Sequence, residues 1–424
     1  MKIPRWLFII FLAIGLPVIL LTLPLMHGFN YSNGKELLSF YVPMPLTLLF
    51  YVTCENLKLS ERMRIGLTLL LFLILILPFS SVLLSGYDFY SRDDGYRYRI
   101  MANNIANHST LWGSDDLVYG THRRVYLVQP GYRYYVAAWI KLFGKENRLF
   151  QIFNMLVYLV SVLSILSRIR KYEINALFKK YFPVFIVLSA PFVTKLIMIG
   201  LMEWLVITFF IWFVLFYTSR RWIPAIILLA LLVFLRQNLL VFSLFVAAFC
   251  FLYRPKWGAY LVIYLLVLCL PIFHNLYFAG EWKFFSTYLN NEFFVLEFGG
   301  GFLESAIKTF LYHIVLYGGV DWLSDNFFAN LISFPCIALG TYLYVYIARG
   351  LAGNKRIFYL VITLSAILPT LLLGGKAYYP RFEWVNLFLA FLTFVLFYQE
   401  SLRGKIYSIE TGFEGYNKVL QSKI

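Results

Sequence analysis

The run 223–253, IPAIILLALLVFLRQNLLVFSLFVAAFCFLY, decides the fold class, because it is apolar along its whole length except at its centre. A run of about 20 apolar residues is long enough to cross a bilayer as a helix. Arg236 interrupts this run, so it is predicted to form two short spans, 223–236 and 238–253. An arginine at the middle of a span costs about 2.5–3.5 kcal/mol on insertion scales, which an anionic partner would offset.

The rest of the chain has the same character. Of its 424 residues 61% are hydrophobic and 14% are charged, against about 25% charged in average soluble domains. So few charged side chains cannot cover two or three soluble domains, and the same numbers exclude disordered, collagen-like and disulfide-based chains. The chain is therefore predicted to be an all-α polytopic membrane protein with a single transmembrane domain, 1–424.

About twelve transmembrane helices, within a range of eleven to thirteen, are predicted from runs of suitable length. The first run follows Lys2 and Arg5 and has no small-residue cleavage site, so it is expected to be a retained anchor. The four cysteines lie singly inside apolar runs and are expected to be buried side chains. The predicted spans are 6–25, 37–54, 65–85, 149–167, 182–199, 203–219, 223–236, 238–253, 257–278, 329–348, 357–373 and 384–400.

The net charge of +16 comes from short basic clusters between the apolar runs, which is typical of membrane topology rather than nucleic-acid binding. With twelve spans, every such cluster falls on the side of the N-terminus, so both termini are predicted to be cytoplasmic, in a bacterial inner membrane. Two long extracytoplasmic loops follow, 86–148 and 279–328. The segment 306–320 is expected to be a re-entrant or interfacial helix on the outer side.

The loop 86–148 is the most polar part of the chain, and it holds an acidic pair, Asp93 and Asp94, followed by residues at helical spacing. Either carboxylate would serve as a helix cap, as aspartate often does, or as a base that substrate can reach. Tyrosines and arginines interleave further along the loop. This pattern fits either an aromatic belt at the interface or a surface that binds sugar faces and phosphate oxygens. The candidate substrate-binding residues there are His122, Arg123, Gln129 and Tyr132.

The order of these features resembles the first outer loop of the GT-C glycosyltransferases. The pattern Asp-Gly-x-x-Tyr-x-x-x-Ala runs from Asp94 to Ala102, and a Pro-centred turn, a short helix ending in Phe-Gly at 143–144, Arg148 and Asn154 follow. This superfamily includes protein O-mannosyltransferases and lipid A aminoarabinose transferases. They are integral membrane enzymes that take a sugar from a polyprenyl-phosphate carrier on the extracytoplasmic side. The likeness is strongest over 88–165.

The resemblance implies a GT-C-like fold with extracytoplasmic loop helices, and transfer of a sugar to a lipid, glycan or protein acceptor. Asp94 falls where the loop aspartate of the superfamily falls, so it is expected to be the general base. Two features depart from the usual pattern: three predicted spans precede the loop instead of one, and Gly95 stands where Glu is common. The second departure leaves Asp93 as the alternative base.

Other charged residues lie near the outer ends of the predicted spans. Lys195 and Glu203 flank a short outer turn, Arg236 begins a span, and Lys376, Tyr379 and Arg381 precede the last span, similar to the Arg-aromatic start of the last span in many GT-C members. Each is either an interfacial anchor, part of a local salt bridge, or a ligand of the substrate. As ligands, Arg236, Arg381 and Lys195 would neutralise the phosphate that leaves with the carrier.

A cofactor and two other functions stay open at this stage. Asp93, Asp94, Glu203 and His122 offer hard ligands for a divalent metal, but no metal motif is present and none is assigned. An O-antigen-type polymerase or ligase would carry its arginines in the second long loop, which has none from Glu281 to Asn326. A lipid or sugar transporter (flippase) would show repeat symmetry and charges within the spans, and neither is evident.

Overall fold

The computed structural model describes residues 43–54, 59–76, 94–108, 130–144, 148–172, 174–198, 200–252, 254, 256–280, 282, 284, 327–374 and 380–402. The regular structure in these residues is entirely helical, which confirms the all-α class. The predicted first span, 6–25, and the predicted interfacial helix, 306–320, lie outside them. The described residues form fourteen α-helices: α1 Pro43–Thr53, α2 Glu61–Ile76, α3 Asp94–His108, α4 Gly131–Phe143, α5 Arg148–Lys171, α6 Ala176–Met198, α7 Glu203–Thr218, α8 Trp222–Leu235, α9 Leu240–Phe251, α10 Trp257–Leu268, α11 Leu270–Ala279, α12 Phe327–Gly350, α13 Gly353–Gly374 and α14 Pro380–Leu402.

Each predicted span other than 6–25 overlaps one or two of these helices. Within the described residues, three segments are long and apolar enough to cross a membrane, namely Leu149–Lys171, Ala176–Met198 and Trp257–Phe278. The chain therefore has helices suited to a membrane, while the number of about twelve spans stays a prediction.

Helix α7 lies at the centre of the bundle. Most of its residues are buried, from Glu203 to Thr218, and it packs against α5, α6, α8 and α14. A helix that is apolar on every face is stable only where other helices surround it. The position of α7 therefore follows from its sequence, EWLVITFFIWFVLFYT, in which only the first residue is charged.

Helices α8 and α9 form an antiparallel hairpin that turns at Arg236. The backbone of Arg236 is extended, with φ −145° and ψ 97°, and the 3-10 turn Gln237–Leu239 leads from it into α9. The Ser243 hydroxyl donates a hydrogen bond to the carbonyl of Leu229 at 2.9 Å, seven residues to each side of the turn. The two short helices predicted on either side of Arg236 are thus confirmed.

Basic turns gather at one end of the bundle, where α1 meets α2, α5 meets α6, α7 meets α8, and α9 meets α10. Polar and cation–aromatic contacts connect these turns. They are Lys171 Nζ to Glu61 Oε2 at 2.7 Å, Arg168 Nη2 to Ser219 Oγ at 3.4 Å, and the Arg254 guanidinium 4.5 Å from the centroid of the Trp222 ring. Four of the predicted basic clusters therefore share one end, which is what the predicted topology requires. This end is called the basic end below.

Candidate functional site

A buried ion pair lies at the other end of α7 and α8. Arg236 Nη1 is 3.6 Å from Glu203 Oε1, and the two side chains are 5% and 2% exposed. Arg236 follows the last residue of α8, while Glu203 is the first residue of α7. Two charges inside an apolar bundle are costly to desolvate, and such residues in membrane proteins usually mark a functional site.

The height of this pair follows from the lengths of the helices. At 1.5 Å per residue, Arg236 lies about 21 Å above Trp222 at the start of α8, and Glu203 lies about 23 Å above Thr218 at the end of α7. His274 lies about 26 Å above Trp257 along α10 and α11. All three side chains therefore arise at nearly the same level, far from the basic end.

Helix α4 begins directly against the break between α8 and α9. A Cβ atom on Gly131 would lie only 2.8 Å from the Phe234 carbonyl oxygen and 2.9 Å from the Leu235 nitrogen. Only glycine permits this approach of two backbones. It brings the next two residues of α4, Tyr132 and Arg133, into the bundle, where both side chains are fully enclosed.

Tyr134 and His274 form the second polar contact of the site. The Tyr134 hydroxyl lies 3.0 Å from His274 Nδ1, and the two rings meet edge to face with centroids 5.5 Å apart. The Tyr134 ring also contacts Phe234, two residues before Arg236, at 5.6 Å. The Arg133 guanidinium is close enough to act electrostatically on both Tyr134 and His274. This pair therefore lies beside the Arg236 break.

Three helical segments begin at this site: α4 at Gly131, α7 at Glu203, and the 3-10 turn at Gln237 that continues into α9. The first N–H groups of a helix lack partners within it and carry a partial positive charge, so helix N-termini favour anions. The enclosed guanidiniums of Arg133 and Arg236 add two full positive charges, and Glu203 supplies one negative charge. The electrostatics of these groups favour an anionic ligand.

Several buried donors at the site have no hydrogen-bond partner among the residues that the structure describes. These are the Tyr132 hydroxyl, Trp204 Nε1 and His274 Nε2. Burial raises the pKa of Tyr132, although the adjacent Trp204 indole acts in the opposite direction without reaching hydrogen-bond geometry. The phenol therefore keeps its proton. A buried donor without a partner is costly, so a ligand with acceptor oxygens would stabilise the site.

The helix that Asp94 begins lies against this cluster. The Tyr98 ring, one turn into α3, meets the Tyr132 ring edge to face at 5.8 Å, and Gly95 and Tyr98 are buried. The first turn of α3 is therefore next to α4 at the site. The helix predicted after the acidic pair is present and begins at Asp94 itself, whereas Asp93 lies outside the described residues.

Three of the predicted site residues meet in the structure: Arg236, Glu203 and Tyr132. The backbone of Lys195 lies in α6 and that of Arg381 in α14, but their side chains, like that of Asp94, are outside what the structure describes. The remaining candidates lie wholly outside the described residues. They are Asp93, His122, Arg123, Gln129, Lys376 and Tyr379.

Four residues of the site were not predicted from the sequence, namely Arg133, Tyr134, Trp204 and His274. Tyr134 was only one of many tyrosines in the loop. Arg133 was visible only as one of many basic residues in the loop, and Trp204 carries no signal beyond its place next to Glu203. His274 carries a usable signal, because an ionisable residue inside an apolar span is rare and usually functional. That histidine was predicted only as part of the span 257–278.

The site gives no sign of a metal centre in the part of the chain that the structure describes, since no three His, Cys, Asp or Glu side chains cluster there. Comparison of the chain with protein-family models, curated proteins and solved structures finds no match. The function therefore rests on the geometry of the site and on the resemblance of the loop.

Proposed function

We propose that the chain is a membrane glycosyltransferase of the GT-C type. It moves a sugar from a polyprenyl-phosphate donor to a hydroxyl of a lipid, glycan or protein acceptor at the extracytoplasmic membrane face. The observation that carries the proposal is the set of enclosed charges Arg133, Arg236 and Glu203, beside which helices α4 and α7 begin. A phosphate on a prenyl chain fits such a site, because its anionic group would meet the arginines while its chain lies among apolar side chains.

The depth of the site supports this kind of substrate. If the basic end lies at the cytoplasmic boundary of an inner membrane, with both termini on that side, positive residues follow the usual topology. In a hydrocarbon core of about 30 Å, Arg236, Glu203 and His274 then lie about 4–9 Å below the outer boundary. A lipid-linked phosphate reaches this level from within the membrane while its prenyl chain stays in the hydrocarbon.

The mechanism is a direct displacement with inversion at the anomeric carbon. The acceptor hydroxyl attacks that carbon and gives its proton to the Asp94 carboxylate, with Asp93 as the alternative base. The bond from the anomeric carbon to the phosphate oxygen breaks, and its electron pair leaves with the polyprenyl phosphate. A positioned carboxylate base contributes about 10²–10⁴-fold to such a step.

The guanidiniums of Arg236 and Arg133 stabilise the charge that develops on the leaving phosphate. In a site with little water, this stabilisation is stronger than in solution. Glu203 positions Arg236 and compensates its positive charge when no donor is bound. Lys195 and Arg381 are the further phosphate ligands in this proposal, and Tyr132 and the loop residues His122 and Arg123 contact the sugar.

The contact between Tyr98 and Tyr132 supports the assignment of the base. It brings the first turn of α3, which begins at Asp94, next to the level of Arg236 and Glu203. In this proposal, a sugar whose phosphate is held by the arginines lies beside that turn. The resemblance of the loop to GT-C enzymes points to the same aspartate.

The experiment replaces Asp94 by Asn and measures transfer from a radiolabelled polyprenyl-phosphate sugar in membranes that contain the protein. Transfer should fall at least about 100-fold, because the amide cannot accept the proton. Asp115→Asn, in the same loop, is the matched control and should leave transfer unchanged. Full transfer by well-expressed Asp94→Asn protein would eliminate Asp94 as the base. If Asp93→Asn lost transfer while Asp94→Asn kept it, the base would be Asp93.

A further inference from the structure

The His274 side chain points into the bundle, although most residues of its helix face away from the bundle. In an 18-residue stretch of the apolar segment Trp257–Phe278, only 22% of the residues are buried, and the neighbours Phe273 and Tyr277 are 53% and 70% exposed. His274 itself is only 3% exposed. An ionisable residue that points inward from a membrane-facing helix is a candidate for a functional role.

The contact with Tyr134 determines which ring nitrogen of His274 carries the proton. Within the described residues, the Tyr134 side chain makes one hydrogen bond, to His274 Nδ1 at 3.0 Å. Donating the phenol proton to Nδ1 satisfies both groups and leaves the proton of the neutral imidazole on Nε2. Burial of the ring and the neighbouring Arg133 guanidinium both disfavour a positive charge on the imidazole.

The Nε2–H of His274 is therefore a buried donor, and it has no hydrogen-bond partner in the described part of the chain. This donor lies at the level of Arg236. The Tyr134 ring contacts both the His274 ring and the ring of Phe234, which is two residues before Arg236. The nearby charges of Arg133 and Arg236 select an anionic oxygen over a neutral hydroxyl as the group that completes this donor.

We infer that His274 binds the donor by giving its Nε2–H hydrogen bond to a phosphate oxygen of the polyprenyl phosphate, and that Tyr134 is the positioning residue that holds this tautomer. The inference rests on the proposed function, which supplies the phosphate. It adds a neutral, oriented donor to the two arginines, so that a phosphate is recognised by the direction of a hydrogen bond as well as by charge.

The test compares amide and apolar replacements of His274 in the purified full-length protein in lipid nanodiscs. The amide of glutamine reaches the position of Nε2, whereas that of asparagine reaches only the position of Nδ1. Binding of polyprenyl monophosphate should weaken by about 10–100-fold in His274→Phe and in His274→Asn, the range expected for a lost hydrogen bond to a charged group. His274→Gln should stay within about 3-fold of wild type, since the donor is kept.

A second readout separates tautomer control from simple packing. In protein with 15N-labelled histidine, the His274 signals, assigned by their loss in His274→Phe, should show a protonated Nε2 and an unprotonated Nδ1. Tyr134→Phe should turn this into a mixture of tautomers and weaken polyprenyl monophosphate binding, while the nanodisc-embedded protein stays folded at the assay temperature.

The possible outcomes distinguish the inference from the function on which it rests. Wild-type protein that neither binds polyprenyl monophosphate nor transfers sugar overturns both. Wild-type protein that does both, with His274→Phe binding equally well, overturns the inference alone. Equal weakening in the glutamine and asparagine variants, or a protonated Nδ1 in wild type, also contradicts it. Competition by excess inorganic phosphate shows whether the phosphate alone or the whole lipid is recognised.

Discussion

Removal of one partner of the Arg236–Glu203 pair should destabilise the protein strongly. At the observed separation of 3.6 Å, two unit charges attract by about 5 kcal/mol at an effective dielectric constant of 20. Breaking a buried pair by removing one member typically costs about 3–5 kcal/mol, because the other charge stays buried. We expect Arg236→Met to lower the free energy of unfolding, measured by denaturant titration of the purified protein in detergent, by an amount in this range.

Replacement of both partners separates stability from function. The double variant Arg236→Met/Glu203→Leu removes both charges of the pair, and such replacements are often neutral or stabilising. Its free energy of unfolding should therefore return to within about 1–2 kcal/mol of wild type. Sugar transfer should be strongly reduced in both variants, because Arg236 is one of the phosphate ligands in the proposed mechanism. A cost below about 1 kcal/mol in Arg236→Met, or recovery of transfer by the double variant, would refute this reasoning.

Three further predictions concern the neighbours of the pair. Gly131→Ala places a Cβ 2.8 Å from the Phe234 carbonyl oxygen, so it should cost about 1–3 kcal/mol in unfolding experiments and reduce transfer. Burial raises the pKa of Tyr132 above its ordinary 10.0. Above pH 10 the unfolded phenol ionises while the folded one keeps its proton, so the free energy of unfolding of wild type should fall relative to that of Tyr132→Phe as the pH rises further, and stability curves of the two proteins should show this. Tyr135→Phe removes the 2.6 Å hydrogen bond to Asn154 Oδ1 and should destabilise by about 1–3 kcal/mol, whereas an unchanged unfolding midpoint would mean that water replaces the bond.

Much of the fold is local and was predictable. Apolar runs of helical length, separated by basic turns, predict where helices begin and end. The charge at Arg236 in the run 223–253 predicts a break there, and the structure has a hairpin that turns at this residue. The turn before Gly131 was also predicted, but the need for glycine comes from Phe234, which is a contact between distant segments.

The composition of the site was only partly predictable for the same reason. Arg236 and Glu203 stand out as charges at the ends of apolar runs, yet nothing in the sequence pairs them. Tyr134 and His274 are 140 residues apart in the chain, and periodicity contains no information on such a contact. The histidine lies in a segment that mostly faces away from the bundle, so its inward position could not be predicted from the sequence. Packing alone brings these residues to one level.

The basic residues fall into two sets according to their position in the bundle. One set lies in the turns at the basic end and is explained by topology, as the contacts of Lys171, Arg168 and Arg254 illustrate. The other set, Arg133 and Arg236, is enclosed at the opposite end and is not explained by topology. In the proposed function, the first set orients the chain in the membrane and the second set binds an anion.

The most direct test of the proposed function follows the sugar itself. Purified wild-type protein is incubated with a polyprenyl-phosphate sugar labelled with 13C at the anomeric carbon and with a membrane extract that supplies the acceptor, and NMR reports the anomeric configuration of the product. The proposal predicts one polyprenyl phosphate released for each sugar transferred, with the anomeric configuration inverted. Retained configuration, or no transfer at all while the protein stays folded, would contradict it.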